Sequence, residues 1–479
     1  MSDLLWISGL CVIALVVVRI SHWCYRWSNP KFNGKLPPGS MGFPIIGETF
    51  DFYKPHGFYE ISPFFKKRMS RYGPLFRTNL LGFKTVVSTD KDVNMEILRQ
   101  ENKSFNLSYP DGLVKSLGKE SIFFKTGSIH KNIKLISMQL VGSENLKRNM
   151  IKDMDRVTRE HLSSKASQGR FDVRDTVFSM ITAHLTPKMI SNLKPETQAK
   201  LMDNFKAFSF DWFRPSFTLS AVKGIYTTIQ ACRDGMRLLN DVYSKRNASK
   251  EKHDDFLNTV MEELEKEGNL VTQDAIVSLI FVLSCVTQEL TVKTICFAVK
   301  FLSENPKVLA ELKREHEAIL GSREDKEGGV TWEEYRHKMT FTNMVINETL
   351  RLANMAPVVF RKAVEDVEIN GYTIPAGWVV LVATSVVHFD SEIYENPFEF
   401  NPWRWEGKEV RSGSKTFMVF GGGVRQCVGA EFARLQISLF LHYLITNYDF
   451  SLFKGSKVIR APAVFFPEGI SINISKRST

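Results

Sequence analysis

Cysteine is scarce in this chain, with six in 479 residues (Cys11, Cys24, Cys232, Cys285, Cys296 and Cys427), and none falls into the close pairs of a metal finger. A disulfide scaffold is excluded on the same ground, and a reducing compartment is the simpler setting. No linker, internal repeat or low-complexity tract divides the sequence, so the three domains suggested by length give way to one large domain behind an anchor. A hydrophobic content of 43% is enough for a thick core. Long runs of a single charge are lacking too. The formal charge of +11, from 63 basic and 52 acidic residues, is spread along the chain. No basic stripe with stacking aromatics stands out, which argues against nucleic acid as a partner. A basic face for an acidic electron donor or anionic lipid accounts for the excess, as does an ordinary solvated surface.

Acidic residues are missing from one place in particular. Leu4 to Val18 is almost wholly apolar, and Arg19, Arg26, Lys31 and Lys35 follow with no Asp or Glu among them. The run predicts a membrane anchor over residues 1–27. Fifteen residues make about 22 Å of helix, and Ile20, Trp23, Tyr25 and Trp27 extend it into an interfacial belt. A cleaved signal peptide is the competing reading. Against it, the amino end carries Asp3 and no small-x-small cleavage site follows. Positive charge on the carboxyl side places the main domain in the cytosol. Sequons at Asn102, Asn106, Asn247, Asn347 and Asn473 agree with that side, because Asn347 lies in an apolar helical pattern where a glycan could not pack. Residues 28–47 form a basic, proline-rich hinge containing Leu36-Pro37-Pro38-Gly39, and 48–479 are the expected main domain.

Beyond the hinge, Gly73 to Leu80 and Lys84 to Ser88 read as strands of a small sheet, and residues from about Asn145 to Asn305 read helical. Asn370-Gly371 reads as a hairpin turn leading to the apolar run Trp378 to Val382. Thr272 to Asn305 predicts a helix of about 51 Å ended by Pro306, apolar nearly all round in its amino half and therefore buried. Thr287, Gln288 and Glu289 interrupt it at the centre, so it is not a membrane span.

The most informative segment is Phe420-Gly421-Gly422-Gly423-Val424-Arg425-Gln426-Cys427-Val428-Gly429, a lone cysteine in a glycine-rich loop that runs into a helical pattern. It fails as a phosphate cradle, since Gln426 replaces the third glycine and no lysine follows. It suits a haem thiolate. Gly421 and Gly423 allow a tight turn that brings amide N–H groups toward the sulfur, Arg425 can reach a haem propionate, and Gly429 lets the helix begin against the macrocycle. The segment matches F-x-x-G-x-R-x-C-x-G at every fixed position and resembles the haem-binding loop of cytochromes P-450.

That resemblance implies a mainly α fold with a small β-sheet region, with Cys427 as the axial ligand of the haem iron. Glu348 and Arg351 form an E-x-x-R pair, and Arg404 lies in Phe400-Asn401-Pro402-Trp403-Arg404-Trp405, similar to the family's F-x-P-x-R-F with Trp for the last Phe. The resemblance implies a Glu348–Arg351–Arg404 network behind the cysteine loop. His130 and Lys134 stand where the family has an aromatic or His followed by Arg, and Arg361 is a further candidate propionate partner; Lys134 lacks the bidentate fork of Arg. The family's small-Gly-x-acid-Thr motif falls on Val286-Thr287-Gln288-Glu289-Leu290, so Leu290 replaces the oxygen-activating threonine. Thr287 or Thr291 then becomes the candidate hydroxyl and Glu289 the proton source; the other reading has both threonines bonded back to helix carbonyls.

Phe123, Phe124, Phe208, Phe210, Trp212, Val358, Val359 and Phe465 fall where the family builds its cavity wall, and each is also readable as core. Segments such as Lys35 to Pro44, Tyr109-Pro110-Asp111-Gly112 and Asn305 to Leu312 are similar to plant enzymes that oxidise terpenoid hormones, sterols and triterpenes, most of all the thalianol hydroxylase group of crucifers. The resemblance implies a monomeric monooxygenase on the endoplasmic reticulum membrane, using O2 and electrons from an NADPH-cytochrome P-450 reductase to hydroxylate a bulky isoprenoid. A haem-thiolate isomerase or dehydratase, and a non-catalytic haem or lipid sensor, are the alternatives on the same scaffold.

Overall fold

The computed structural model describes every residue except 1, 31, 110–113, 115–120, 209–218, 250, 267–270, 326, 409–412, 454–456 and 478–479. Helix α1 (Ser2–Ser28) extends ten residues past the apolar run that predicts it, which gives about 40 Å of helix. Leu10 and Val12 to Val18 are exposed along it, while at its end Trp27 Nε1 donates to the carbonyls of Met41 and Gly42. The hinge then makes a tight turn in which Gly47 N donates to Phe43 O at 2.7 Å and Ile45 adopts φ +67°. Phe43, Ile45 and Ile46 project from it, next to the exposed hairpin tip of Leu81 and Phe83. The two are adjacent, since a Cβ at Gly82 would lie 3.6 Å from Ile45 O.

Local signals set the other helix ends. Asp90 accepts the N–H groups of Asp92 and Val93 at the start of α2 (Lys91–Arg99). After α3 (Gly127–Val141) and α4 (Ile151–Ala166), Asp172 caps α5 (Val173–Met189), and Pro195 opens α6 (Pro195–Ala207). Helix α7 (Leu219–Ser249) leads to α8 (Gln273–Glu304), whose cap Thr272 accepts the N–H of Ala275. Pro306 begins α9 (Pro306–Gly321), and Asn354, in the left-handed conformation, ends α10 (Thr340–Ala353). Helix α11 (Ala430–Asn447) follows the cysteine loop. Helix α8 is buried along most of its length by α5, α7, α10 and α11, as an all-round apolar helix must be.

The sheets are small. Strands β1 (Leu75–Leu80), β2 (Phe83–Ser88), β3 (Phe105–Leu107), β5 (Val359–Ala363) and β8 (Val379–Val382) pair in the order β1-β2-β8-β5-β3, with only β2 and β8 parallel. Strands β6 (Val367–Ile369) and β7 (Tyr372–Ile374) form the hairpin around Asn370-Gly371, both at positive φ as its turn requires. Strand β12 (Ser471–Lys476) lies between β4 (Arg170–Asp172) and β9 (Tyr448–Leu452) and pairs antiparallel with both, while β10 (Ile459–Ala461) pairs with β11 (Ala463–Phe465). Strand β4 interrupts the stretch read as wholly helical. It is three residues long, and its partner lies far along the chain at Ser471–Asn473.

Candidate functional site

The cysteine loop is built by glycines under steric compulsion. Gly421 and Gly423 take φ +73° and +65°, and a Cβ at Gly423 would stand 2.2 Å from Leu98 O, at the end of α2. Cys427 N donates to Phe420 O at 2.9 Å, closing the loop, and Gly421 N donates to Met418 O. The amide that serves the sulfur is that of Gly429. It pulls the thiol pKa down, as does the ammonium of Lys134, while desolvation pushes it up more strongly. Cys427 is nonetheless accessible, whereas Cys232, Cys285 and Cys296 are buried in the core.

Behind the loop, the structure brings Glu348, Arg351 and Arg404 together. The Glu348 carboxylate is fully buried and accepts from Arg351 Nε (2.9 Å) and Nη2 (2.8 Å), Arg404 Nε (2.9 Å), Asn401 N (3.1 Å) and Trp405 Nε1 (2.9 Å). Arg351 Nη1 donates to the carbonyls of His388 and Pro397. His388 in turn accepts the N–H of Met418 at 2.9 Å, and Tyr394 donates to Thr416 O, so the network reaches the cysteine loop through two residues that sequence motifs do not mark. Burial and the Arg351 charge push His388 down to about 3, which keeps it neutral and able to accept. Trp405, noted in the sequence only as a departure from Phe, supplies a donor that Phe lacks.

At the edge of the site, Lys134 Nζ donates to Val424 O at 3.0 Å, and half-buried His130 is pushed down to about 4 by desolvation and by Arg425. Arg361 and Arg425 converge on one carboxylate. Glu101 is fully buried, with Arg361 Nε 2.7 Å from Oε2 and Arg425 Nε 2.5 Å from Oε1. The Arg361 contact is an ion pair without hydrogen-bond alignment, and both of its atoms lack a hydrogen-bond partner. Glu101 follows a polar helix end, and nothing in its sequence surroundings sets it apart.

On α8, Leu283, Val286, Thr287 and Leu290 stay half-covered although the helix is otherwise buried, and their spacing puts them on one face. Thr291 is buried to one side of that stripe. Ser284 and Thr294 donate back to helix carbonyls, but among the described residues neither Thr287 nor Thr291 has a hydrogen-bond partner. Glu289 lies to the other side, 2.5 Å from Lys293, in a cleft shared with Arg174, Asp175 and Lys206. The apolar candidates divide. Phe123, Phe124, Val359 and Phe465 are half-buried, whereas Phe208 packs edge-on against Phe281 and Val358 lies in a buried cluster under the five-stranded sheet. Phe210 and Trp212 lie outside the described residues. Tyr109, whose ring touches Phe123, Phe124 and Phe360, separates them from an apolar surface cleft lined by Phe52, Leu80, Leu81 and Phe83.

An accessible thiol, cations at one edge and open space where a Gly429 Cβ would point suit a flat, anionic, thiolate-ligated group. The family model for cytochrome P450 matches residues 37–472. The chain belongs to the cytochrome P450 family. It is 61% identical over 471 residues to cytochrome P450 708A2 of Arabidopsis thaliana, covering 98% of this chain and 99% of that protein. It is also 35% identical to the β-amyrin 16-α-hydroxylase of Maesa lanceolata and 35% identical to the cucurbitadienol 11-hydroxylase of Siraitia grosvenorii; each alignment spans 99% of this chain and all of the relative. The retinoic acid-bound cyanobacterial CYP120A1 shares the fold, with a TM-score of 0.77 over 93% of this chain and 100% of that one at 21% identity. This P450 is thus a haem-dependent monooxygenase that takes O2 and reductase-supplied electrons. The residues present fit a haem: Cys427 would be its ligand, and Arg361, Arg425, Lys134 and His130 would stand at its edge.

Proposed function

We propose that this P450 hydroxylates a triterpene or a closely related polycyclic isoprenoid at the cytosolic face of the endoplasmic reticulum, drawing electrons from an NADPH-cytochrome P-450 reductase. The observation that carries the reading is the full-length similarity to two triterpene hydroxylases. The apolar stripe of α8 and the aromatic pair Phe123–Phe124 are in keeping with it, because they offer a bulky hydrocarbon surface with few polar anchors.

Held by the thiolate of Cys427, a haem would supply the oxygen-transfer chemistry. The chain's residues do the rest. Leu283, Val286 and Leu290 hold the substrate by apolar contact and exclude water from it. The Thr287 hydroxyl, free of the helix backbone, holds a proton donor at the stripe in place of the threonine that Leu290 replaces. Glu289, which meets Lys293 in the cleft lined by Arg174, Asp175 and Lys206, serves as the proton source when it leaves Lys293. Thr291 serves only if the helix turns locally.

Co-expression with a plant reductase and a panel of triterpene scaffolds tests the function. A hydroxylated product that depends on the reductase, together with a spin-state change when the scaffold binds, is the expected result. Spin-state changes with small phenolics or fatty acids alone would overturn the substrate class. Unchanged coupling in both Thr287→Ala and Thr291→Ala would move the proton path elsewhere.

A further inference from the structure

Two arginines face the edge of the haem site, yet neither is free. Arg361 and Arg425 are 2% and 10% exposed, and both contact the Glu101 carboxylate, which is fully buried. Each guanidinium is held by a carbonyl as well, Arg361 through Phe360 O at 2.9 Å and Arg425 through Lys125 O at 2.7 Å. The three residues come from separate elements: the end of α2, strand β5 and the cysteine loop. The charge count is short. Two guanidiniums and one carboxylate leave one net positive charge, to which Lys134 adds another from its place on Val424 O. His130 and Tyr109 face the same cluster and are both neutral near pH 7, His130 because it is pushed down to about 4 and Tyr109 because burial pushes it up. Replacing a whole buried ion pair by apolar groups of like shape is often neutral, so net stability alone does not account for a carboxylate in such a place. Its effect must lie in where it puts the arginines and in the charge it removes.

We propose that Glu101 is a positioning residue for the haem edge: it holds Arg361 and Arg425 side by side and cancels one of their two charges, so that one net charge and not two faces the propionates. The inference rests on the haem site described above. Its consequence is electrical. Reduction lowers the charge on the iron by one, so added positive charge nearby favours the reduced state, and Glu101 holds the iron's potential down.

The test is a spectroelectrochemical titration of the purified holoenzyme and its Glu101→Gln variant, which has the same shape without the charge. The expected result is a more positive midpoint, seen as a severalfold larger ferrous fraction at a fixed potential, with the carbon monoxide band of thiolate ligation retained. Glu101→Gln/Arg361→Gln restores the net charge and returns the midpoint toward that of the parent. An unchanged midpoint in Glu101→Gln, even with a lower melting temperature, overturns the proposal by showing a purely structural role. Should Glu101→Gln take up no haem, the double variant decides: regained uptake supports the charge account, and continued failure overturns it. Failure of the parent itself to bind haem would instead remove the site on which the inference stands.

Discussion

Cys232, Cys285 and Cys296 are surrounded by core atoms that push their thiols up, Cys232 to about 12. Cys427 also sits in a desolvating place, but the Gly429 amide and Lys134 oppose that effect, and its sulfur is accessible. Cys427→Ser should therefore abolish the red-shifted Soret band of the reduced, carbon monoxide-treated protein, and Cys285→Ser and Cys296→Ser should keep it. A second prediction concerns His388. Its folded pKa of about 3 lies below the ordinary 6.5, so the unfolded chain binds more protons between those values and stability rises with pH across that window. His184 and His442, pushed down to about 4 and about 3, act in the same sense. Each contributes up to about 1.4 kcal/mol per pH unit, fully present above pH 6.5 and lost as the pH falls toward 3. Melting temperatures of the parent and His388→Gln from pH 7.5 to 5 check this, with the shallower acid slope expected for the variant. Protonated His388 could no longer accept the Met418 N–H, so the thiolate band should persist down to pH 5 and fade only as the pH approaches 3.

Elements show how far the chain could be read without coordinates. Helix α8 was legible to within a residue at each end, because Thr272 and Pro306 are strong start and stop signals and its apolar amino half could only be buried. The Glu348–Arg351 pair and Arg404 were legible as motifs, but their links to the cysteine loop through His388 and Tyr394 were not, since those depend on how Met418 and Thr416 pass beside them. Glu101 was invisible for the same reason: its partners are brought to it by tertiary structure. Strand β4 was missed because three residues carry no periodicity. Two tests belong at this scale. Glu348→Gln leaves Arg351 and Arg404 short of a buried counter-charge and should cost about 3–5 kcal/mol, read as a lower denaturation midpoint with loss of haem. Along α8, Thr287→Ala should lower product formed per NADPH consumed by severalfold, Thr291→Ala less, and Leu290→Thr should raise it, because only Thr287 shares the half-covered stripe with Leu290.

At the scale of the whole molecule, α1 stands clear of the domain and is joined to it where Trp27 meets Met41 and Gly42. Asn347 is buried and accepts a hydrogen bond from Arg434, which leaves no room for a glycan on that sequon. Protease added to sealed microsomes should digest the domain, and none of the five sequons should carry sugar; full protection would reverse the proposed topology. Removing residues 1–27 should release only part of the protein, because Phe43, Ile45, Ile46, Leu81 and Phe83 remain exposed beside the hinge. One of these residues is under strain. A β-branched side chain at φ +67° costs roughly 1–3 kcal/mol, and glycine would relieve it. Ile45→Gly should accordingly melt at a higher temperature in detergent while floating less with lipid vesicles. Selection for heat resistance alone would erase this residue early, and an enzyme improved in that way would drift from the surface where its substrate dissolves.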